Sequence, residues 1–429
     1  MNQKHTIALA ICVALISIVS ELIGTVKFHL GPGTAVLFPL VWAILLGGFI
    51  SVQKISPLRH EMQHMAGTIL EVGIMIFIVR LGTLIGPHIG SIYNVGWALA
   101  FQELGHVFGT VILVLPLAVF LKMGRASIGA TYSIDREPNL AYMAERFGGD
   151  SNEYRGALAV YVIGSIFGAL YIALLAGFLG SARIFDPIAL AMGSGVGSGS
   201  MMAAASAAIA IEFPKYKDEI LAVAGASNLI TEVIGVYVTV FISLPLAERL
   251  YRFWTRIMNR GDADFAQIPS ASSTDDRPAS HGASAHNKHS IAWIIQTSVL
   301  FGVIMLISNY FNAFKFGAHT LLGMLFLVAV TILSFAVKRI IPQIPAIVWA
   351  SLAGILLTAG NTAIAAHITS LVKDIDFLAM VTPVLAYAGL SLGKDIPMLR
   401  KLGLRFILVS LAVYTATYLC ATAIAELLI

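Results

Sequence analysis

The chain has 429 residues, of which 58% are hydrophobic and only 12% charged, a composition that no water-soluble domain needs and that marks a multi-pass membrane protein. Its net charge of +4 suits anionic lipid head groups, but no basic patch is interleaved with exposed aromatics, which argues against nucleic acid as a partner. The two cysteines, Cys12 and Cys420, lie inside apolar windows and suggest neither a disulfide framework nor a metal cluster.

Apolar windows fall in chain order at 6–25, 35–50, 66–86, 91–121, 155–179, 186–211, 219–247, 290–310, 317–337, 343–360, 375–393 and 403–429. Most approach the roughly 20 residues that cross a bilayer. The expected fold is an all-α polytopic membrane protein with 11–12 transmembrane segments in two halves, including interrupted or re-entrant helices. The first window, behind Lys4, has the outline of a signal peptide, but no small-residue cleavage site follows cleanly, so it reads as the first transmembrane helix. Glu21, near the end of that span, is expected to snorkel or to cap.

Before the third window, His60-Glu61-Met62-Gln63-His64 satisfies the H-E-x-x-H pattern, in which two histidines one turn apart bind zinc and the glutamate acts as base. Catalytic zinc needs a third protein ligand, and no downstream motif supplies one. The motif therefore reads as the charged start of an interfacial helix, with no metal, no cofactor and no enzymatic role expected. Further along that span, Glu71 and Arg80 are nine residues apart, which puts them on nearly opposite faces of a helix. In the next window Glu103 and His106 share a face at i, i+3, and Gly105 between them permits a local break. Carboxylates inside spans are costly and mark function by default.

The most informative stretch is Gly193-Ser194-Gly195-Val196-Gly197-Ser198-Gly199-Ser200. Glycine is costly inside a helix and exposes backbone, so such a run at membrane depth must line a protein interior or a wet cavity. The alanine-rich helix former that begins at Met201 would aim free N–H groups and a positive dipole end back into the run, an arrangement that suits an anionic ligand group. On the following window Asn228 and Glu232 are four residues apart, with Gly225 and Gly235 on the same face. This polar stripe is expected to face protein, close to the second irregular segment, and to hold Na⁺ or carry a proton alongside Glu103.

Residues 256–289 are rich in Ser, Ala, Asp, Pro and His and read as a flexible polar linker between an N-terminal membrane half, 1–255, and a C-terminal half, 290–429. The second irregular segment is Met380–Asp395. Pro383 removes a backbone hydrogen bond there and Gly389, Ser391 and Gly393 loosen the end, so a broken helix is expected, with Thr382 at its start. Paired interrupted segments in two halves point to a transporter's midplane site. The expected substrate-binding set is therefore Gly193, Ser194, Gly195, Gly197, Ser198, Gly199 and Ser200 with Thr382, Pro383, Gly389, Ser391 and Gly393.

Two short echoes suggest an internal repeat: Val26–Gly31 with Phe314–Gly317, and Pro87–Ile92 with Ala366–Leu371. Charge tests the topology. With the N-terminus inside and the Gly193 segment re-entrant, 20 of the 27 Lys and Arg fall on the inner side, against 15 at best when that segment spans. The positive-inside rule prefers the re-entrant reading. An inverted repeat sits badly with the number of crossings this gives.

A glycine-rich tip in the first half, a Thr-Pro to Gly-Leu-Ser-Leu-Gly segment in the second and a polar central linker resemble elevator-type symporters such as the 2-hydroxycarboxylate, glutamate and bile-acid sodium symporters. Gly124-Arg125-Ala126-Ser127-Ile128-Gly129-Ala130-Thr131-Tyr132-Ser133-Ile134-Asp135-Arg136-Glu137-Pro138-Asn139 resembles a bacterial membrane-protein family catalogued only as a domain of unknown function. Arg136–Asn139 itself reads either as a gate contact or as a solvated turn started by Pro138. The second resemblance names no substrate; the first implies a secondary transporter of the bacterial inner membrane that moves a small organic anion, of carboxylate type, coupled to Na⁺ or H⁺. The lipid bilayer is its other partner, and a homodimer is compatible. The competing classes are a membrane-embedded zinc peptidase and a passive, holin-like pore.

Overall fold

A computed structural model describes residues 3–30, 33–53, 58–94, 96–133, 137–149, 151–259, 290–314, 316–342, 344–394 and 396–429. All but the first four residues of the polar linker lie outside them. The protein is α-helical and polytopic, with one short hairpin that the sequence reading did not anticipate. Helix α1 (Gln3–Ile23) stops at Gly24, and strands β1 (Val26–Leu30) and β2 (Gly33–Leu37) pair antiparallel with Val26 opposite Leu37. Val26–Leu30 is thus a strand, whereas its proposed echo around Phe314 is a helix end, so the first echo has no structural counterpart.

The hairpin leads into α2 (Pro39–Val52), whose proline occupies the first turn, where a missing N–H costs nothing. There follow α3 (His60–Ile85), α4 (Gly96–Phe120), the short helices α5 (Ala126–Thr131) and α6 (Glu137–Phe147), and α7 (Asn152–Ala182). Next come α8 (Pro187–Ser194), α9 (Gly199–Glu212), α10 (Lys217–Val238) and α11 (Leu244–Ile257). After the linker come α12 (Ile291–Ala313), α13 (Ala318–Ile340), α14 (Ala346–Thr358), α15 (Ala363–Val372), α16 (Phe377–Ser391) and α17 (Ile396–Leu428), the last kinked at Gly403. Among the described residues eight helices are long and apolar enough to cross a membrane, and two bent pairs raise this to ten: α10 with α11, bent by 54°, and α14 with α15, bent by 116°. The expected eleven is reached if α2, at 14 residues, also crosses.

The helices form two bundles that cut across the order of the chain. In one, α1, α2 and α3 pack on α12, α14 and α16; in the other, α17 returns from the far end of the chain to pack on α4, α7 and α8, beside α9 and α10. Glycines set the closest approaches. A Cβ on Gly47 of α2 would sit 2.6 Å from the Ala386 carbonyl oxygen, and one on Gly389 of α16 would sit 2.6 Å from that of Ile44. Gly82 of α3 and Gly354 of α14 make a second such crossing. π-helical turns, which often mark functional spans, interrupt α4 at Phe108–Val114 and α7 at Gly164–Gly168, and a third, Thr239–Ser243, follows α10. All three belong to the second bundle, which meets the first where α10 packs on α3, β2 on α7 and α9 on α16.

The Gly193 segment folds back as a helical hairpin. A Cβ on Gly168 would touch Met201, and one on Gly180 would touch Phe213 and Glu212, so α9 runs beside the second half of α7 and in the same direction. Arg183, just before α8, donates to the Glu212 carbonyl oxygen (3.3 Å) and its guanidinium sits 4.2 Å over the Phe213 ring. The entry to α8 and the exit from α9 therefore lie at one end of the bundle. With 8 and 14 residues in the two arms, the tip lies about 12–21 Å from that end at 1.5 Å per residue, a length comparable to half of a hydrocarbon core about 30 Å thick.

Helix α16 departs from expectation. It is continuous from Phe377 to Ser391 with Pro383 inside it, rather than broken. Proline deletes one rung of the ladder, but the helix is buried along its length against α1, α2, α3 and α12, and it stays helical through the defect. The sharp interruption of the C-terminal half lies at Ala359–Thr362 instead, where Gly360 has φ +75° and Thr362 caps α15 by accepting from the Ala365 N–H.

Candidate functional site

The tip of the α8–α9 hairpin is built from below by α10 and from the side by α17. Ser227 donates to the Met192 carbonyl oxygen (2.7 Å), and the Asn228 side-chain amide donates to those of Gly195 (2.8 Å) and Gly197 (3.2 Å). A Cβ on Gly195 would strike Ser227, and one on Gly193 would strike Thr422 of α17, so both glycines are needed for contact. Gly197 turns the chain with φ +107°, a conformation open to glycine and hostile to other residues. Residues 193–197 are buried; Ser198, Gly199 and Ser200 are half-buried. Ser194 is satisfied within its own helix, through the Ala191 carbonyl oxygen.

The first turn of α9 is the chemically open part of the tip. Ser198 occupies the N-cap position but its side chain caps no backbone N–H; its hydroxyl lies 3.2 Å from that of Ser200. Uncapped N–H groups and the positive dipole end of a 14-residue helix thus lie at residues that are only half-buried. Phe77 and Ile74 of α3 stand beside them, 3.9 and 4.0 Å from where a Gly199 Cβ would be.

One turn along α10 from Asn228 lies a buried carboxylate. Glu103 of α4 is 2% exposed, its Oε2 is 2.7 Å from the Thr231 hydroxyl, and Thr231 in turn is 3.0 Å from the Ser227 carbonyl oxygen. Gly235 makes room for it, since a Cβ there would lie 3.1 Å from Glu103 Oε1. The neighbouring Gln102 is wholly buried with both side-chain polar atoms unbonded among the described residues. Glu232, on the same stripe, is only half-buried. Asn228 serves the glycine tip and not, as expected, the neighbourhood of Thr382–Gly393. The side chain of His106 lies outside the described residues.

The second expected set is turned elsewhere. Thr382 donates to Glu21 of α1 (2.7 Å), Gly389 packs on α2, the Gly393 N–H donates to Ser51 (3.0 Å), Ser391 bonds its own helix, and Pro383 is a buried helix residue. Thr382 instead belongs to a polar cluster that joins both halves of the chain. Glu21, 8% exposed, also accepts from Ser308 (3.0 Å) and Asn312 (2.9 Å) of α12. Nearby, Asp376 caps α16 by accepting from the Leu378 N–H (2.8 Å) and pairs with Lys217 of α10 at 2.5 Å, across the boundary between the bundles. Sequence reasoning assigned Glu21 to a span end and gave Lys217 and Asp376 no role. The available signal was an Asp directly before a helix start and a Glu inside an apolar window.

Glu71 and Arg80 do face apart: Arg80 reaches α16, while Glu71 is the acidic group that acts on Lys338 of α13. His60 and His64 lie at the start of α3, with Nε2 atoms 3.0 Å apart, and no group of three His, Cys, Asp or Glu converges among the described residues. In the Gly124–Asn139 stretch, Arg125 pairs with Glu153, and Asn139 is buried between Ser133 and Thr239 and accepts from Tyr132 at its carbonyl oxygen. Asn139 is thus a packing residue and not part of a solvated turn; Arg136 lies outside the described residues.

Over residues 18–253, more than half of its length, the chain matches the family described as "Protein of unknown function (DUF3100)", and it belongs to that family. The matched region contains the hairpin tip, the α10 stripe and Glu103. No curated protein and no solved structure matches the chain.

Proposed function

We propose that this membrane protein is a secondary active transporter that moves a small organic anion of carboxylate type, coupled to Na⁺ or H⁺, across the bacterial inner membrane. One observation carries the reading: a helical hairpin whose tip presents an uncapped helix N-terminus and two half-buried serine hydroxyls, a tip that we place at mid-membrane depth from the length of its arms. Backbone that departs from helix is tolerated there only when it is buried in protein or lines a cavity, and free N–H groups aimed into such a space suit an anion. Glu103, hydrogen-bonded to Thr231 one turn below the tip's anchor, is the proposed coupling group, as a proton carrier or as one ligand of Na⁺. The division into two bundles, with the hairpin in one and Phe77 in the other, supports an elevator-like movement of one bundle against its partner.

The test is uptake of radiolabelled carboxylates into proteoliposomes under imposed Na⁺ or pH gradients. Uptake should follow one of the gradients and lose that dependence in Glu103→Gln. Flux indifferent to both gradients would identify a pore and defeat the proposal.

A further inference from the structure

Arg80 is the charge that the proposed mechanism leaves unused. It lies in the last turn and a half of α3, 6% exposed, among apolar spans. A guanidinium carries five N–H donors. Here Nε donates to the Ile375 carbonyl oxygen (3.1 Å) and Nη1 to the Thr83 hydroxyl (3.1 Å); among the described residues Nη2 has no partner, and no carboxylate comes within ion-pairing distance of the side chain. A buried cation with open donors is costly and calls for an anionic partner.

The position fits the proposed path. Phe77, one turn earlier on α3, faces the first turn of α9 across the bundle boundary and packs edge-on against Phe377 at the start of α16, ring centroids 5.7 Å apart. Arg80 is therefore about 4.5 Å further along α3 toward the face at which the hairpin enters. The acidic groups that act on it are Asp376, already paired with Lys217, and Asp218 at the start of α10; Glu21, bonded to Ser308, Asn312 and Thr382, lies in the same outer cluster. This acidic surrounding disfavours two negative charges concentrated on one group, as on phosphate, and admits one singly charged carboxylate group, whose two oxygens match the guanidinium fork whatever the rest of the anion carries.

We propose that Arg80 binds a carboxylate group of the transported anion through its open guanidinium edge, about one helical turn outward of the hairpin tip. This rests on the transporter reading for the word transported; the binding itself stands apart from it. The experiment is a thermal-shift titration of the purified full chain with a panel of small carboxylates (acetate, lactate, succinate, malate, citrate), against chloride and inorganic phosphate. At least one carboxylate should raise the melting temperature, phosphate should not, and Arg80→Lys should weaken that carboxylate by about tenfold or more while the ligand-free protein melts as wild type, because an ammonium keeps the charge but loses the fork. Full carboxylate affinity in Arg80→Lys, or no shift by any of the five, overturns the assignment. If Arg80→Lys does not fold, phenylglyoxal labelling of the wild-type protein, read by mass spectrometry, decides. The hit carboxylate must slow modification of Arg80, and an unchanged rate sinks the idea. Arg80-dependent binding without gradient-driven uptake would refute the transporter and leave the binding site standing; gradient-driven uptake that is indifferent to Arg80 would do the reverse.

Discussion

Gly197 and Gly199 flank the same turn, yet the structure assigns them opposite sensitivities. At Gly197 the backbone has φ +107°, beyond the left-handed well that other residues visit at a cost, so alanine there should destabilise the protein by about 1–3 kcal/mol. It should also disturb the carbonyl groups held by Asn228. Gly199 opens α9 at negative φ, and a Cβ would meet nothing nearer than Phe77 at 3.9 Å, an ordinary contact. Alanine at 199 should therefore be neutral or add up to about 1 kcal/mol from helix propensity. The two alanine variants should differ by about 1–4 kcal/mol, which apparent melting temperatures of the purified proteins will resolve. Valine at 199 adds two methyl groups on the side where N–H groups are proposed to meet the anion, so it should abolish ligand-induced stabilisation while the ligand-free protein melts normally. Equal melting of Gly197→Ala and Gly199→Ala, or a larger loss in the second, would refute the reasoning about the turn. Normal ligand shifts in Gly199→Val would refute the placement of the site.

Asp376 acts both as helix cap and as ion-pair partner, and substitution separates the two. Asp376→Asn should keep the cap and cost little, Asp376→Ala should cost about 1 kcal/mol more, and Lys217→Met should change thermal stability by less than about 1 kcal/mol, since its pair with Asp376 is partly exposed. Either Gly47→Ala or Gly389→Ala drives a Cβ into opposing backbone at 2.6 Å and should cost about 3 kcal/mol or more, seen as loss of a monodisperse peak in size-exclusion chromatography. Gly90→Ala, with nothing within 4 Å, is the control that should behave as wild type. His60→Ala should leave melting temperature and uptake unchanged, with zinc well below one equivalent by metal analysis; stoichiometric zinc lost in this variant would restore the peptidase reading.

Much of this protein is fixed by the sequence because lipid leaves the backbone few choices. An apolar run of about 20 residues must satisfy its own N–H and C=O groups, so the windows became helices nearly where the hydropathy placed them. The Gly193–Ser200 run was legible for the same reason: local composition says that it cannot be an ordinary lipid-facing helix. Charge counting favours a path that turns back on itself, and the contact of Arg183 with Glu212 closes the hairpin at one end. Partnership across sequence distance was not legible. Thr382 bonds Glu21, 361 residues away, and Arg80 donates to Ile375, 295 residues away. Helix periodicity says which residues share a face, but only the docked neighbours determine what that face meets. For the same reason the effect of Pro383 is not legible in the sequence: it depends on whether surrounding helices accommodate the lost rung, and α2, packed through Gly47 and Gly389, does so. Bundle membership was equally hidden, since α17 joins the helices of the first half because its small and polar residues fit Gly193 and the spans beside it, a complementarity of surfaces that no single segment carries by itself.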